Sequence, residues 1–395
     1  MILKMKHIIK NIRDFILYII MFLLNKIIGV KTNKIVFISF GGKSYSDNPR
    51  AISENLKEKY SHFKIIWLIN NPYEKKDIIP NNIKVVKKTI FSNIYHHATA
   101  KLWIDNFCKP LYFYKSVNQI YIQTWHGDRG FKTILHDSPF WSKKQILFET
   151  ANMDLAVSGS KYNEMQYRSA FKYKGKILKK GYPRNDILIS NSDYFKKVLK
   201  DQIIKNDYDV NILLFAPTLR RDASINNKKQ KVSDIDIIKT LQMLEYKTKK
   251  QWICLTRAHS AVMGITGIPQ HEKIIDISRY EDMSHILLIS DFLITDYSSS
   301  AGDFALLNKP IILFQNDREE YLKKDRSFYF DIDKSPFMVA KSQNELNNMI
   351  SNLNFNEINQ NCEDILKFYG TYETGKASEF VVEYIYNKYL EGKNE

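Results

Sequence analysis

From residue 35 onward, short runs of β-branched and aromatic residues alternate with helical stretches, and the alternation occurs in two series. The first series comprises Ile35 to Phe40 (IVFISF), Lys64 to Leu68, Ile83 to Val86, Leu102 to Ile104 and Gln119 to Gln123. Helical patterns lie over Pro49 to Tyr60 and Ser92 to Lys101. The second series is Asn211 to Ala216 (NILLFA), Trp252 to Thr256, Phe292 to Thr295 and Pro310 to Phe314, separated by helical patterns over Ile235–Tyr246, Tyr280–Ile289 and Ser300–Leu307. Such alternation predicts an α/β chain whose parallel sheets are covered on both faces. Because the pattern restarts, two α/β domains are expected, over 34–190 and 210–345, with a hinge at 191–209 and C-terminal helices over 346–395. The three cysteines, Cys108, Cys254 and Cys362, fit neither a disulfide framework nor a zinc cluster, which points to a reducing, cytoplasmic setting.

Charge narrows the partners. The 395 residues hold 59 Lys+Arg against 43 Asp+Glu, a formal charge of +16, so an anionic partner is expected: nucleic acid, acidic lipid or a phosphorylated substrate. The first 34 residues carry seven basic side chains against Asp14 alone, and within them Phe15 to Leu24 (FILYIIMFLL) is an unbroken apolar run. Spanning a bilayer takes about 20 apolar residues, so this run is too short to cross one. Asn25-Lys26-Ile27-Ile28-Gly29 offers no small-x-small cleavage pattern of a signal peptide. Residues 1–33 are therefore expected to form a helix lying in the plane of an anionic membrane, with a buried helix of the fold as the alternative. No RNP-type, helix-turn-helix or zinc-finger pattern supports nucleic acid.

Several motifs follow strands, where the crevice of a parallel sheet lies. Gly41-Gly42-Lys43-Ser44 resembles the end of a phosphate-binding P-loop, but that spacing needs Gly at 37, which is Phe37. The milder reading is a glycine turn beneath a helix capped by Asp47 and Asn48. Thr124-Trp125-His126-Gly127-Asp128 follows a strand directly, with Arg129 and Lys132 close behind. A histidine there suits a base that takes a hydroxyl proton near neutrality. Ala216-Pro217-Thr218-Leu219-Arg220-Arg221, Arg257-Ala258-His259-Ser260 and Ile294-Thr295-Asp296-Tyr297-Ser298-Ser299 bring Arg, His and hydroxyl groups to one rim. Together they describe a diphosphate clamp, helped in the last case by a helix start. The triplets Asp234 to Asp236 and Asp331 to Asp333 have the carboxylates for a divalent ion but read more readily as ordinary caps and solvated turns, and no metal or other cofactor is expected.

The set and order of these motifs resemble the CDP-glycerol glycerophosphotransferase family, the teichoic acid polymerases and primases and their relatives in capsule synthesis. The resemblance rests on TWHG at 124–127, GYPRND at 181–186, APTLR at 216–220, RAH at 257–259, and ITDYSS with Asp303 and Lys309-Pro310 at 294–310. It implies a GT-B-like fold of two Rossmann-type domains whose parallel sheets face a central cleft, with the first domain receiving the acceptor and the second binding the CDP-linked donor. It implies His126 as catalytic base, with His259 also catalytic. Thr218, Arg220, His259, Thr295, Ser298, Ser299 and Asp303 are then expected around the donor diphosphate, and Asp128, Arg129 and Lys132 on the acceptor side. The implied reaction moves glycerol phosphate, or another polyol phosphate, from a CDP-alditol to a lipid-linked or polymeric acceptor at the cytoplasmic face of the membrane, releasing CMP. The family's usual Thr-Pro-Leu-Lys after WHG is replaced here by Asp128-Arg129-Gly130-Phe131-Lys132, its Trp before Arg by Leu219, and its Pro after His by Ser260. None of these changes removes a reactive group; the first lies on the acceptor side and leaves polyol and acceptor open. A nucleotide-sugar glycosyltransferase of surface polysaccharide synthesis, built on the same fold, is the alternative enzyme.

Overall fold

The computed structural model describes residues 2–190, 192–204, 210–218, 220, 230–231, 234–258, 265–266 and 268–390. Seven strands form the first sheet: β1 (Lys31–Ile38), β2 (Lys64–Ile69), β3 (Lys84–Lys87), β4 (Ala100–Asp105), β5 (Ile120–Gln123), β6 (Leu155–Ser158) and β7 (Lys176–Lys179). They run parallel in the order β3-β2-β1-β4-β5-β6-β7. The second series gives β8 (Asn211–Ala216), β9 (Gln230–Lys231), β10 (Trp252–Thr256), β11 (Ile265–Thr266), β12 (Ile274–Asp276), β13 (Phe292–Thr295), β14 (Ile311–Phe314) and β15 (Met338–Ala340). Six of these form a parallel sheet ordered β12-β10-β8-β13-β14-β15, while β9 and β11 pair separately. Ile65 to Ile69 and Ile212 to Phe215 are buried residue after residue, without alternation. Helices on both faces leave such strands no solvated side, which is why their sequence reads as a continuous apolar run.

Two segments stitch the lobes together. After β5 the chain crosses to the second lobe, where Phe131 enters that lobe's core. There Tyr329 N–H donates to the Phe131 carbonyl at 2.9 Å and Thr133 N–H to the Ser327 carbonyl at 2.9 Å. At the other end of the chain, the helices Gln343–Asn352 and Ile358–Tyr369 pack on the second lobe, through Leu346, Ile350 and Ile365. The helix Ala377–Ile385 returns to the first, adding Val381, Val382 and Ile385 to the core that holds Ile35 and Phe37 of β1. The C-terminal helices are thus divided between the lobes. Within the expected hinge, residues Asp193–Ile204 are a helix; 191 and 205–209 lie outside the described residues.

The N-terminal helix runs from Ile2 to Ile28, and no described helix is long and apolar enough to cross a membrane. Its C-terminal half docks on the first lobe. Met21 is buried, Asn25 Nδ2 donates to the Ala98 carbonyl at 2.7 Å, and Tyr18 and Phe22 meet the Tyr114 ring edge-on. The opposite face is open: Ile8, Ile9, Ile12, Phe15, Ile16, Ile19, Ile20 and Leu23 form one stripe at helical spacing, with Phe15 65% exposed.

Candidate active site

Parallel strands deliver their carboxyl ends to the cleft between the lobes, and His126 stands three residues beyond β5. Its ring lies among Phe40, Phe107 and Trp125, with centroids 5.4, 5.8 and 4.1 Å away. His126 Nδ1 is 2.6 Å from the Asn106 carbonyl oxygen, which only accepts, so Nδ1 carries the proton and Nε2 keeps its lone pair. Burial pulls the His126 pKa down to about 4, and Arg184, Arg326 and Lys132 push the same way against the hydrogen bond to Asn106. The imidazole is neutral at physiological pH, the state a general base requires.

The backbone carrying this histidine is unusually well held. Trp125 has φ +52°, a left-handed conformation that costs a bulky residue energy. Three groups hold it there. Gln123 Oε1 accepts the Trp125 N–H at 2.8 Å, Asn48 Nδ2 donates to the Trp125 carbonyl at 3.3 Å, and Arg184 Nη1 donates to the His126 carbonyl at 2.8 Å. Asp47 and Asn48 do not cap the helix Asp47–Lys59 as the sequence led us to expect. The N-cap is Ser46, without a side-chain cap bond, and Asp47 instead accepts from Arg184 at 3.0 Å while Asn48 reaches the loop. Gly42, at φ +91°, makes a turn into which a Cβ would bring a 2.6 Å contact with Lys88 Cδ.

Asp128 and Arg129, expected on the acceptor side, are fully buried instead. Asp128 accepts from Ser160 Oγ at 2.5 Å and pairs with Arg129 Nη1 at 2.8 Å. Arg129 Nη2 reaches Asp303 Oδ1 and Glu373 Oε1, each at 2.9 Å. Asp303 also accepts from Arg184 Nη2 at 2.8 Å and Asn185 Nδ2 at 3.2 Å. Four carboxylates therefore share two guanidiniums across the lobes. Asp303, which touches both arginines, is held below the ordinary carboxylate range despite its burial, whereas burial pushes Glu373 up to about 7. These side chains are committed to one another, and Asp303 joins the lobes and is not turned to a ligand.

On the second lobe, Arg220 lies over the rings of Tyr297 and Tyr321, at 5.1 and 5.0 Å. It donates to Asp296 Oδ2 and Asp317 Oδ2, both at 2.9 Å, and to the Thr218 carbonyl at 2.8 Å. Thr218 N–H donates to Asp296 Oδ1 at 2.8 Å. Thr295 is buried and gives its hydroxyl to the Ala216 carbonyl at 2.6 Å, a bond between the ends of β13 and β8 that already occupies it. Ser298 and Ser299 are half-buried, and a Cβ on Gly127 would lie 3.6 Å from Ser299 Oγ, so the loop bearing His126 and this serine pair face each other directly. The helix that follows, Ser300–Phe304, is only five residues before a 3-10 turn, so the helix-dipole contribution read from the sequence is small. Lys132 is half-buried and faces Arg220, Arg326 and Asp296; burial and the two arginines pull its pKa down to about 7. His259 lies outside the described residues. The Asp triplets act as caps and surface pairs: Asp236 accepts the Lys239 N–H at 2.9 Å, Asp331 the Asp333 N–H at 3.1 Å, and Asp333 pairs with Arg318 and Lys341.

Sequence reasoning missed Gln123, Asn48, Arg184, Asp296 and Arg326. Arg184 and Asp296 sat inside the motifs GYPRND and ITDYSS without a role, and nothing in the sequence near Arg326 marks it.

The family described as CDP-glycerol:poly(glycerophosphate) glycerophosphotransferase matches residues 20–387. The chain belongs to this family. The two α/β lobes agree with that membership. The chain is 32% identical over 383 residues to a teichoic acid poly(glycerol phosphate) polymerase of Staphylococcus epidermidis, covering 90% of itself but only about half (51%) of that relative. It is 31% identical to a teichoic acid glycerol-phosphate transferase of Staphylococcus aureus, covering 96% of itself and 99% of that protein. The solved wall teichoic acid polymerase TagF superposes with a TM-score of 0.82 at 29% identity, over 99% of this chain and 98% of that one. A form of TagF soaked with CDPG gives 0.79 at 28% identity.

Proposed function

We propose that this glycerophosphotransferase-family chain transfers glycerol phosphate from CDP-glycerol to a hydroxyl of a membrane-linked acceptor in the synthesis of a teichoic acid-like polymer. One observation carries the chemistry. A neutral imidazole, with Nε2 unprotonated, stands on a loop whose next residue, Gly127, approaches Ser299, with Lys132 and Arg326 near the ring and Arg220 near Lys132. His126 Nε2 takes the proton of the acceptor hydroxyl. The oxygen attacks the phosphorus that bears glycerol, and the bond to the bridging oxygen breaks, so that CMP leaves with its electron pair. Positive charge on the second lobe stabilises the negative charge that builds on the leaving phosphate. Ser298, Ser299 and Lys132 hold the donor directly in this reading, Arg220 contributes its charge from a fixed position, and Asp128, Arg129 and Asp303 hold the lobes in register. The open stripe of the N-terminal helix rests on the cytoplasmic face of the membrane, next to a lipid-linked acceptor.

The test is release of CMP from CDP-glycerol by purified protein with a lipid-linked or short glycerol phosphate acceptor, for the wild type and His126→Ala. Turnover only with nucleotide sugars, or an undiminished rate in a folded His126→Ala protein, would sink the assignment. A positioned base is worth roughly 10²- to 10⁴-fold, which sets the drop expected.

A further inference from the structure

Arg184 stands outside the groups to which the reaction was assigned, yet it touches the backbone of the base, the first lobe and the second lobe together. Nη1 donates to the His126 carbonyl at 2.8 Å and to Asp47 Oδ2 at 3.0 Å, and Nη2 donates to Asp303 Oδ2 at 2.8 Å. Its own N–H donates to Asn48 Oδ1 at 3.1 Å, and Asn48 Nδ2 in turn reaches the Trp125 carbonyl. Asp303 lies four residues beyond Ser299, in the helix that begins at the proposed donor site. A planar fork is what such a junction needs: two edges of one rigid group fix the base loop relative to the donor rim, which a single ammonium cannot do.

We propose that Arg184 is a positioning residue for the transfer, registering the His126 imidazole against the donor site across the cleft. The second role is electrostatic. Arg184, Arg326 and Lys132 are the cations that face His126, while Phe40, Phe107 and Trp125 supply no charge; Asp47 and Asp303 face Arg184 itself. Removing one cation lets His126 take up a proton more readily, so activity lost on acidification disappears at higher pH. The inference rests on His126 being the base.

The experiment compares wild type, Arg184→Gln, Arg184→Lys and His126→Ala by CMP release across pH 4 to 9, with thermal melts of each. We expect Arg184→Gln to lower kcat by roughly 10²-fold, with KM for CDP-glycerol changed by less than about threefold, and to move the acidic limb of kcat/KM to higher pH. Arg184→Lys keeps the charge but not the fork: the limb stays near its wild-type position while kcat remains at least tenfold down. A folded Arg184→Gln protein with the limb unmoved overturns the electrostatic role. Full kcat in Arg184→Lys overturns the geometric one, and that variant decides the matter if Arg184→Gln does not fold. Activity retained by a folded His126→Ala protein removes the base assignment instead, a result distinct from either.

Discussion

Asp303 is the buried carboxylate on which the two lobes converge, and its neutralisation has a calculable cost. Asp303→Asn keeps the shape of the side chain but removes the charge that accepts from Arg129 at 2.9 Å and Arg184 at 2.8 Å. Breaking a buried ion pair from one side typically costs about 3 to 5 kcal/mol, because the charge left behind is uncompensated. Here Arg129 retains Asp128 and Glu373, and Arg184 retains Asp47, so the low end, about 3 kcal/mol, is expected. At about 2.1 cal/mol/K per residue, a chain of 395 residues shifts by roughly 1 to 1.5 °C per kcal/mol, so Tm falls by ~3 to 5 °C. The control is Asp333→Asn, which removes a carboxylate paired with Arg318 and Lys341 on the surface, where such pairs contribute about 0 to 1 kcal/mol. The pH dependence has a definite sign. Asp303 is held below its usual range, so its contribution is present above the unfolded-state value of about 3.9 and is lost only as pH falls through the lower folded-state value. The gap between wild type and Asp303→Asn in urea or thermal melts should therefore persist at neutral pH and close only below about pH 4. A loss below ~1 kcal/mol, or one no larger than that of Asp333→Asn, would refute the view that this network is a buried, mutually dependent junction.

Three further outcomes separate the roles assigned above. Lys132 sits near neutrality because burial and two arginines disfavour its charge, so a bound diphosphate should raise its pKa; CDP-glycerol binding near pH 7.5 is expected to take up protons, measured by calorimetry in buffers of different ionisation enthalpy, and Lys132→Met should abolish that uptake. Thr295→Val removes a hydroxyl already given to the Ala216 carbonyl, so it should cost about 1 to 2 kcal/mol of stability while leaving KM for CDP-glycerol within twofold; a tenfold rise in KM would return Thr295 to the donor site. Phe15→Asp lies on the open stripe of the N-terminal helix and should weaken sedimentation with anionic vesicles while leaving Tm unchanged, whereas Met21→Asp, on the docked face, should lower Tm.

The features legible in the sequence share a physical origin in local pattern. Continuous apolar runs such as Ile65 to Ile69 reveal strands covered on both faces, and residues that follow them, like His126 and Ser298, are placed at the crevice by the rule that parallel strands point one way. Spacing also shows that the Phe15–Leu24 run cannot span a bilayer. What such reading misassigned were charged groups whose partners are distant in the chain. Arg129 looks like an acceptor-side cation beside His126 until Asp303 and Glu373, 174 and 244 residues away, are seen to enclose it. Asp47 looks like a cap until Arg184 takes its carboxylate.

The sequence by itself determined the two α/β lobes, the rim on which reactive groups lie and the family to which the chain belongs, because strand periodicity and motif order are properties of neighbours along the chain. Only the tertiary structure decided which of those groups are open to a ligand. That choice depends on burial and on hydrogen-bond partners across the cleft. A guanidinium or carboxylate taken out of water must be paired, and Asp303, which pairs with both Arg129 and Arg184, lies more than a hundred residues from either.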